Sequence, residues 1–136
     1  MPKKKNLSYY KNKAWRMFSK YIRTRDCIKA TGFADQGKCV TCNKFFPFSE
    51  LQAGHAIGGR NNSILFDEKL VNAQCRACNH YGNGKYGEYS VWFIKTYGLD
   101  MWQGKVELSN QSVVYKIPDY QEIYLKYKEK YEKLIS

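Results

Sequence analysis

The sequence contains no apolar run approaching the ~20 residues that cross a membrane. Nothing apolar follows its Met-Pro-Lys-Lys-Lys start that could act as a signal peptide. Membrane-spanning and secreted classes are therefore not expected, nor is the oxidising compartment in which disulfides persist. Acids are scarce: 12 Asp and Glu stand against 23 Lys and Arg, a formal net charge of +11. Histidine occurs twice, as His55 and His80, so imidazole chemistry has few places to sit. There is no low-complexity linker, and no internal repeat beyond one cysteine pattern. At 136 residues this leaves a single domain, or one core with helical extensions.

What is present begins with that pattern. Cys39-Val40-Thr41-Cys42 and Cys75-Arg76-Ala77-Cys78 share the C-x2-C spacing, which puts two thiolates on one tight turn. Two such turns facing each other make a tetrahedral cage for structural Zn2+. A disulfide pair or unrelated thiols are the alternatives. Thirty-two residues separate the pairs, more than a zinc ribbon needs, so the interval is expected to carry structure of its own. Cys27 has no such partner and reads as a small buried hydrophobe.

The positive charge is unevenly placed. Residues 1–30 hold ten basic side chains (Lys3, Lys4, Lys5, Lys11, Lys13, Arg16, Lys20, Arg23, Arg25 and Lys29) against one acid, Asp26. A basic arm of this kind is the footprint of a polyanion binder. A solvated helix face and an anionic membrane surface are the competing readings. The cysteine pairs and the histidine between them favour nucleic acid over membrane.

Residues 8–25 show the spacing of an amphipathic helix, with Trp15, Phe18, Tyr21 and Ile22 forming the stripe expected to dock on the core. Residues 31–38 read as a loop into the first cysteine turn. Leu51–His55 suggests a short strand ending at His55, residues 58–63 a polar glycine-rich loop, and Val71–Gln74 a return to the second cysteine turn. From Asn79 the pattern becomes helical with a break near 82–87, its apolar face being Tyr89, Trp92, Phe93 and Tyr97, with Gly98 closing it. A short strand is expected at 112–117. A last helix follows Pro118, with Asp119 as N-cap and Glu122 at N3. Its stripe of Tyr120, Ile123, Tyr124, Tyr127, Tyr131 and Leu134 suits core packing, or the face of a homodimer.

Hydrolysis of a phosphodiester requires a base for water, a cation at the departing oxygen, and a fixed orientation for the base. His55, with an ordinary pKa of ~6.5, suits the first task at a strand end. Asn79, fixed by the second cysteine turn, offers an amide oxygen, and Asn83 would follow one helical turn later. Such oxygens suit Mg2+ or Mn2+ better than zinc. Asn72 is placed to hold the loop in shape. Singly, each has a plain alternative as a satisfied histidine, a cap or a turn former. Together, around two cysteine turns, they read as a small nuclease centre.

The order Gly54-His55, Asn72, then Cys75-x-x-Cys78-Asn79 resembles the HNH, or ββα-metal, nucleases. Within these, the chain is most similar to the lambda NinG/Rap family of Holliday-junction and branched-DNA endonucleases. Residues 18–26 and Cys39–Cys42 carry the likeness. So do Ala53-Gly54-His55, Leu65-Phe66-Asp67-Glu68, Gln74–Asn79, Gly82-Asn83 and Glu88-Tyr89, all within roughly residues 14–98. The resemblance implies that His55 is the general base, Asn79 a magnesium ligand and the four paired cysteines structural. It also implies a phage-encoded protein acting in a host cytoplasm. One departure matters: many HNH enzymes carry Asp or His just before the base as a second metal ligand, where this chain has Gly54. Asn83, Asp67 and Glu88 are the candidates to replace it, besides water and substrate oxygens.

The expectation is an α+β fold over residues 1–136: a basic helical arm (1–30), a zinc-stapled ββα-metal core (39–98) and a C-terminal helix (118–136). Its function would be divalent-metal-dependent cleavage of DNA, branched by preference. His55, Asn72 and Asn79 would serve catalysis. Cys39, Cys42, Cys75 and Cys78 would bind zinc, Asn79 and Asn83 the divalent ion. Lys11, Arg16, Lys20, Arg23 and Arg60 would grip phosphates. The rival is a zinc module that binds DNA without cutting it.

Overall fold

A computed structural model describes residues 5–136, so Lys3 and Lys4 of the basic arm lie outside the described residues. The first helix, α1, runs Leu7–Thr31. Asn6 caps it by accepting from the Tyr9 amide (3.1 Å), and Gly32 ends it at φ 83°, a left-handed conformation that glycine adopts without strain. The helix therefore exceeds its expected span of 8–25. Nothing in residues 26–31 breaks it, and the expected loop shrinks to the turn at 32–35.

Two antiparallel hairpins follow. Strands β1 (Gln36–Lys38) and β2 (Phe45–Pro47) flank the first cysteine turn. After a 3-10 turn at Phe48–Glu50, β3 (Leu51–His55) pairs with β4 (Val71–Cys75), which sets Gly54 opposite Asn72 and His55 opposite Val71. Between them lies the short helix α2 (Asn62–Leu65). A π-helical turn (Ala77–Tyr81) and a 3-10 turn (Asn83–Lys85) lead into α3 (Tyr86–Tyr97), then α4 (Leu99–Ser109) and α5 (Ile117–Ile135). The fold is mixed helix and sheet, with four cysteines converging at one end.

The β3–β4 hairpin is packed on both faces. Phe18, Tyr21 and Ile22 of α1 meet Ala53, Val71 and Tyr127 in one apolar cluster. On the opposite side Tyr89 and Phe93 of α3 pack with Ala56, Ile64 and Leu70, and the buried Tyr89 hydroxyl donates to the Gly54 carbonyl (2.7 Å). Burial on both faces explains why β4 is buried at all five positions.

Two expectations need correction. No strand forms at 112–117. Residues 112–116 form neither helix nor strand and are held by Asn62 Nδ2 donating to the Val113 carbonyl (3.0 Å) and the Tyr115 hydroxyl to the Asn62 carbonyl (3.2 Å). The last helix starts earlier: Asp119 is at N3, where its carboxylate accepts from the Lys116 amide (2.7 Å), so Lys116 is the cap and Pro118 fits in the first turn. Helix α4 is additional. The tyrosine stripe of α5 packs on α1 as core packing requires, with Tyr120 and Tyr127 buried and Ile123, Tyr131 and Leu134 alongside.

Candidate functional site

The Sγ atoms of Cys39, Cys42, Cys75 and Cys78 all lie within 4.8 Å of one another, a separation suited to four ligands on one metal ion. The β1–β2 turn shapes the first pair: the Cys39 amide donates to the Lys44 carbonyl (2.9 Å), the Asn43 amide to the Cys39 carbonyl (3.0 Å), and Asn43 takes φ 64°. Burial opposes ionisation of Cys39, yet hydrogen bonds from the Cys42 amide and from Thr41 outweigh it and bring the thiol down to about 7. Cys27 stands apart, buried against Leu51 and Ala73 with its thiol pushed up to about 11 by burial and then by Asp26. It behaves as a small apolar side chain.

His55 sits at the end of β3, 6% exposed. Its ring stacks on Trp15, with centroids 5.3 Å apart and planes 18° from parallel. Nε2 lies 3.2 Å from the Leu65 carbonyl, which can only accept, so Nε2 carries the proton and Nδ1 keeps its lone pair. Burial drives the pKa down to about 4; the Leu65 carbonyl opposes that shift and the Arg60 charge adds to it. The imidazole is therefore a neutral base at pH 7.

A depressed pKa makes stability pH-dependent. The contribution is fully present above the unfolded value of ~6.5 and is lost as pH falls toward 4. Between pH ~7.5 and ~5 the loss is about 2 kcal/mol. Urea unfolding at those two pH values should show the protein losing that much more than His55→Gln. Parallel losses would mean that the ring is not held neutral by burial.

Asn79 occupies the π-helical turn, where Nδ2 donates to Gln52 Oε1 (2.8 Å). Its Oδ1 lies 3.0 Å from the point that a Cβ on Gly54 would occupy. Adjacent strand residues face opposite ways, so Asn79 lies on the Gly54 face while His55 turns toward α1. A cleft of about 310 Å³ spans the two sides, lined by Trp15, Ser19, Arg23, residues 51–53, Arg60 and Asn79. Arg60, at φ 50°, lays its guanidinium over Trp15 (4.4 Å), and Arg23 lies over Phe48 (4.4 Å). The cleft thus carries two cations and two amides, Gln52 and Asn79, beside a covered histidine.

Other predicted residues lie elsewhere. Asn72 is buried: Nδ2 donates to the Lys69 carbonyl and the Tyr89 hydroxyl (both 3.0 Å), and Oδ1 accepts from Arg25 (3.1 Å). It ties the strand to α1 and α3 and does not line the cleft. Asn83 is exposed at φ 54°. The π and 3-10 turns between it and Asn79 void the one-turn spacing, so the two do not share a helical face. Asp67 is engaged by Lys105 (2.6 Å) and caps Lys69 and Leu70, while Glu88 is exposed at the start of α3. Arg16 and Lys20 are exposed on α1 and Lys11 is half-buried, all outside the cleft lining. Arg25 leaves the basic face altogether, bonding the Glu68 and Val71 carbonyls and Asp26.

Residue order does not mark what Trp15, Gln52 and Gln74 touch: Trp15 lines the cleft and stacks on His55, Gln52 accepts from Asn79, and Gln74 is buried against Thr41 and Gly84. Trp15 was absorbed into the apolar stripe. Polar residues at alternate positions of two buried strands were the available signal for Gln52 and Gln74. Comparison with protein families decides the kinship: the family described as bacteriophage lambda NinG protein matches residues 2–136. The chain belongs to the NinG family. The match takes in α4 and α5 of this NinG chain, well beyond the roughly 14–98 over which the likeness was expected. No curated protein and no solved structure matches the chain.

Proposed function

We propose that this NinG-family protein is a divalent-metal-dependent DNA endonuclease of the HNH type, with a four-cysteine zinc staple and a preference for branched DNA. The observation that carries the reading is the neutral strand-end histidine, its Nε2 fixed by the Leu65 carbonyl and its Nδ1 unprotonated, beside a cleft holding Arg23, Arg60 and Asn79. In this reading Nδ1 of His55 takes a proton from the attacking water. Arg23 and Arg60 hold the phosphate, and Asn72 keeps β4 and Tyr89 rigid behind the histidine. The Asn79 amide oxygen would hold a Mg2+ or Mn2+, which when bound would supply positive charge for the departing oxygen. Where position 54 has no Cβ, side-chain amide oxygens stand beside the strand, a donor set that suits such an ion.

Trp15 covers the imidazole, so water reaches Nδ1 only when the Trp15–Arg60 stack shifts. A phosphate that engages Arg60 draws its guanidinium off the ring. The same cover is the observation that favours the rival reading, a zinc module that binds DNA with His55 as a packed polar group. A four-way junction and a linear duplex, each incubated with Mg2+ or with chelator, separate the two. Metal-dependent cleavage of the junction supports the nuclease, whereas gel retardation without cleavage supports the module.

The cations of α1 would add affinity with little sequence preference. Log K should then fall with log salt at about −0.9 per phosphate contact on duplex DNA. Replacing Lys11, Arg16, Lys20 and Arg23 by Ala should flatten that slope. An unchanged slope would place the DNA surface elsewhere.

A further inference from the structure

Gln74 is wholly buried in β4, yet its Oε1 has no hydrogen-bond partner among the described residues. The amide's orientation is fixed by its other end. Nε2 donates to the Gly84 carbonyl (2.9 Å), which can only accept, and to the Thr41 hydroxyl (3.1 Å). Thr41 in turn contacts Cys39 Sγ (3.4 Å), so the metal-binding cysteine turn braces the glutamine. The free Oε1 lies so near Gly54 that a Cβ there would collide with it, and Asn79 Oδ1 is 3.0 Å from the same point. Among the described residues no side chain donates to Oδ1 of Asn79, its amide being held through Nδ2 by Gln52. Two fixed amide oxygens thus converge where position 54 has no side chain. A buried, unpaired acceptor is costly unless something polar meets it.

We propose that Gln74 Oε1 is the second protein oxygen of the divalent-cation site, beside Asn79 Oδ1. The inference rests on the nuclease reading above and completes its metal site. It also accounts for Gly54: the oxygen that a side chain at 54 would offer is supplied from the facing strand, and the glycine is what makes room for it. Two neutral oxygens bind a hard cation weakly, so water or substrate oxygens fill its other positions.

Mg2+ titration of the unmodified zinc-loaded protein, with 13C-labelled side-chain carboxamides, tests this directly. Gln74 Cδ and Asn79 Cγ should shift together and saturate together, with Gln103 and Gln121 unmoved. A shift at Asn79 without one at Gln74 overturns the proposal and leaves the nuclease reading intact. If neither moves, the proposal falls together with the metal part of that reading. Manganese binding, followed by EPR of free Mn2+, gives a second test in variants that retain zinc. Gln74→Ala should weaken binding by about tenfold or more. Adding Gly54→Asp to Gln74→Ala should restore it, because the carboxylate enters the space that the glutamine leaves. Wild-type affinity in Gln74→Ala, or a double variant no better than the single, overturns the assignment.

Discussion

His55→Ala is expected to lower junction cleavage by ~10²–10⁴ while DNA affinity stays nearly unchanged. Both halves follow from where the imidazole sits. It is neutral, its Nε2 bonds the Leu65 carbonyl, and it lies under Trp15 rather than among the side chains lining the cleft. Removing it takes away a proton acceptor but no direct phosphate contact: Arg23 keeps its stacking on Phe48, and Arg60 keeps its charge beside Trp15 although that ring loses the imidazole beneath it. Cleavage should be compared at a temperature where both proteins are folded, because truncation leaves a void beneath Trp15. Asn79→Ala should also lose activity, with partial recovery at higher Mg2+ or Mn2+. Its fold should survive, as the side chain gives up only its bond to Gln52. A His55→Ala protein that cuts junctions at the wild-type rate under saturating metal would end the HNH reading. The non-cleaving zinc module would take its place.

Much of this arrangement was readable from residue order because short-range patterns carried it. The C-x2-C pairs brought four thiols together, Leu51–His55 read as a strand ending at the histidine, and the 3.6-residue stripe placed Phe18 and Ile22 in the core. What was not readable depends on contacts distant in sequence. Arg25 looked like one cation of a basic arm, yet it serves the carbonyls of Glu68 and Val71 and the Asn72 amide, more than 40 residues away. Asn83 looked like one helical turn past Asn79. Three consecutive residues with positive φ, Asn83, Gly84 and Lys85, instead redirect the chain before α3 begins. Gln74 read only as the end of the return to the second cysteine turn, and its place beside Gly54 depends on the β3–β4 register. Helix spacing and strand alternation predict faces; they do not predict which face a neighbouring element will cover.

Cys75→Ser should release zinc and unfold the domain, or lower its melting temperature by about 10 °C or more. Cys75 ends β4, paired with Leu51, so its thiol ties the central hairpin to the cysteine turn that follows β1. Losing it affects more than the metal. Three of the four cysteines form a buried cluster that Phe46 and Cys42 pack against, and without the ion they are left as a poorly filled apolar pocket. Binding of structural zinc is folding free energy, on the order of 10 kcal/mol in isolated zinc domains, comparable with the whole stability of a domain this size. Loss of the hairpin would also displace Thr41 and Gln74 and loosen Gly54 beside His55, so cleavage should vanish with the fold rather than before it. Cys27→Ala is the matched control: it removes a buried thiol that packs on Leu51 and Ala73, outside the four-sulfur cluster. Metal analysis should return about one zinc per chain for the wild type and for Cys27→Ala, and far less for Cys75→Ser. A Cys75→Ser protein that keeps its zinc, or melts with the wild type, would show that the four sulfurs do not hold the fold together.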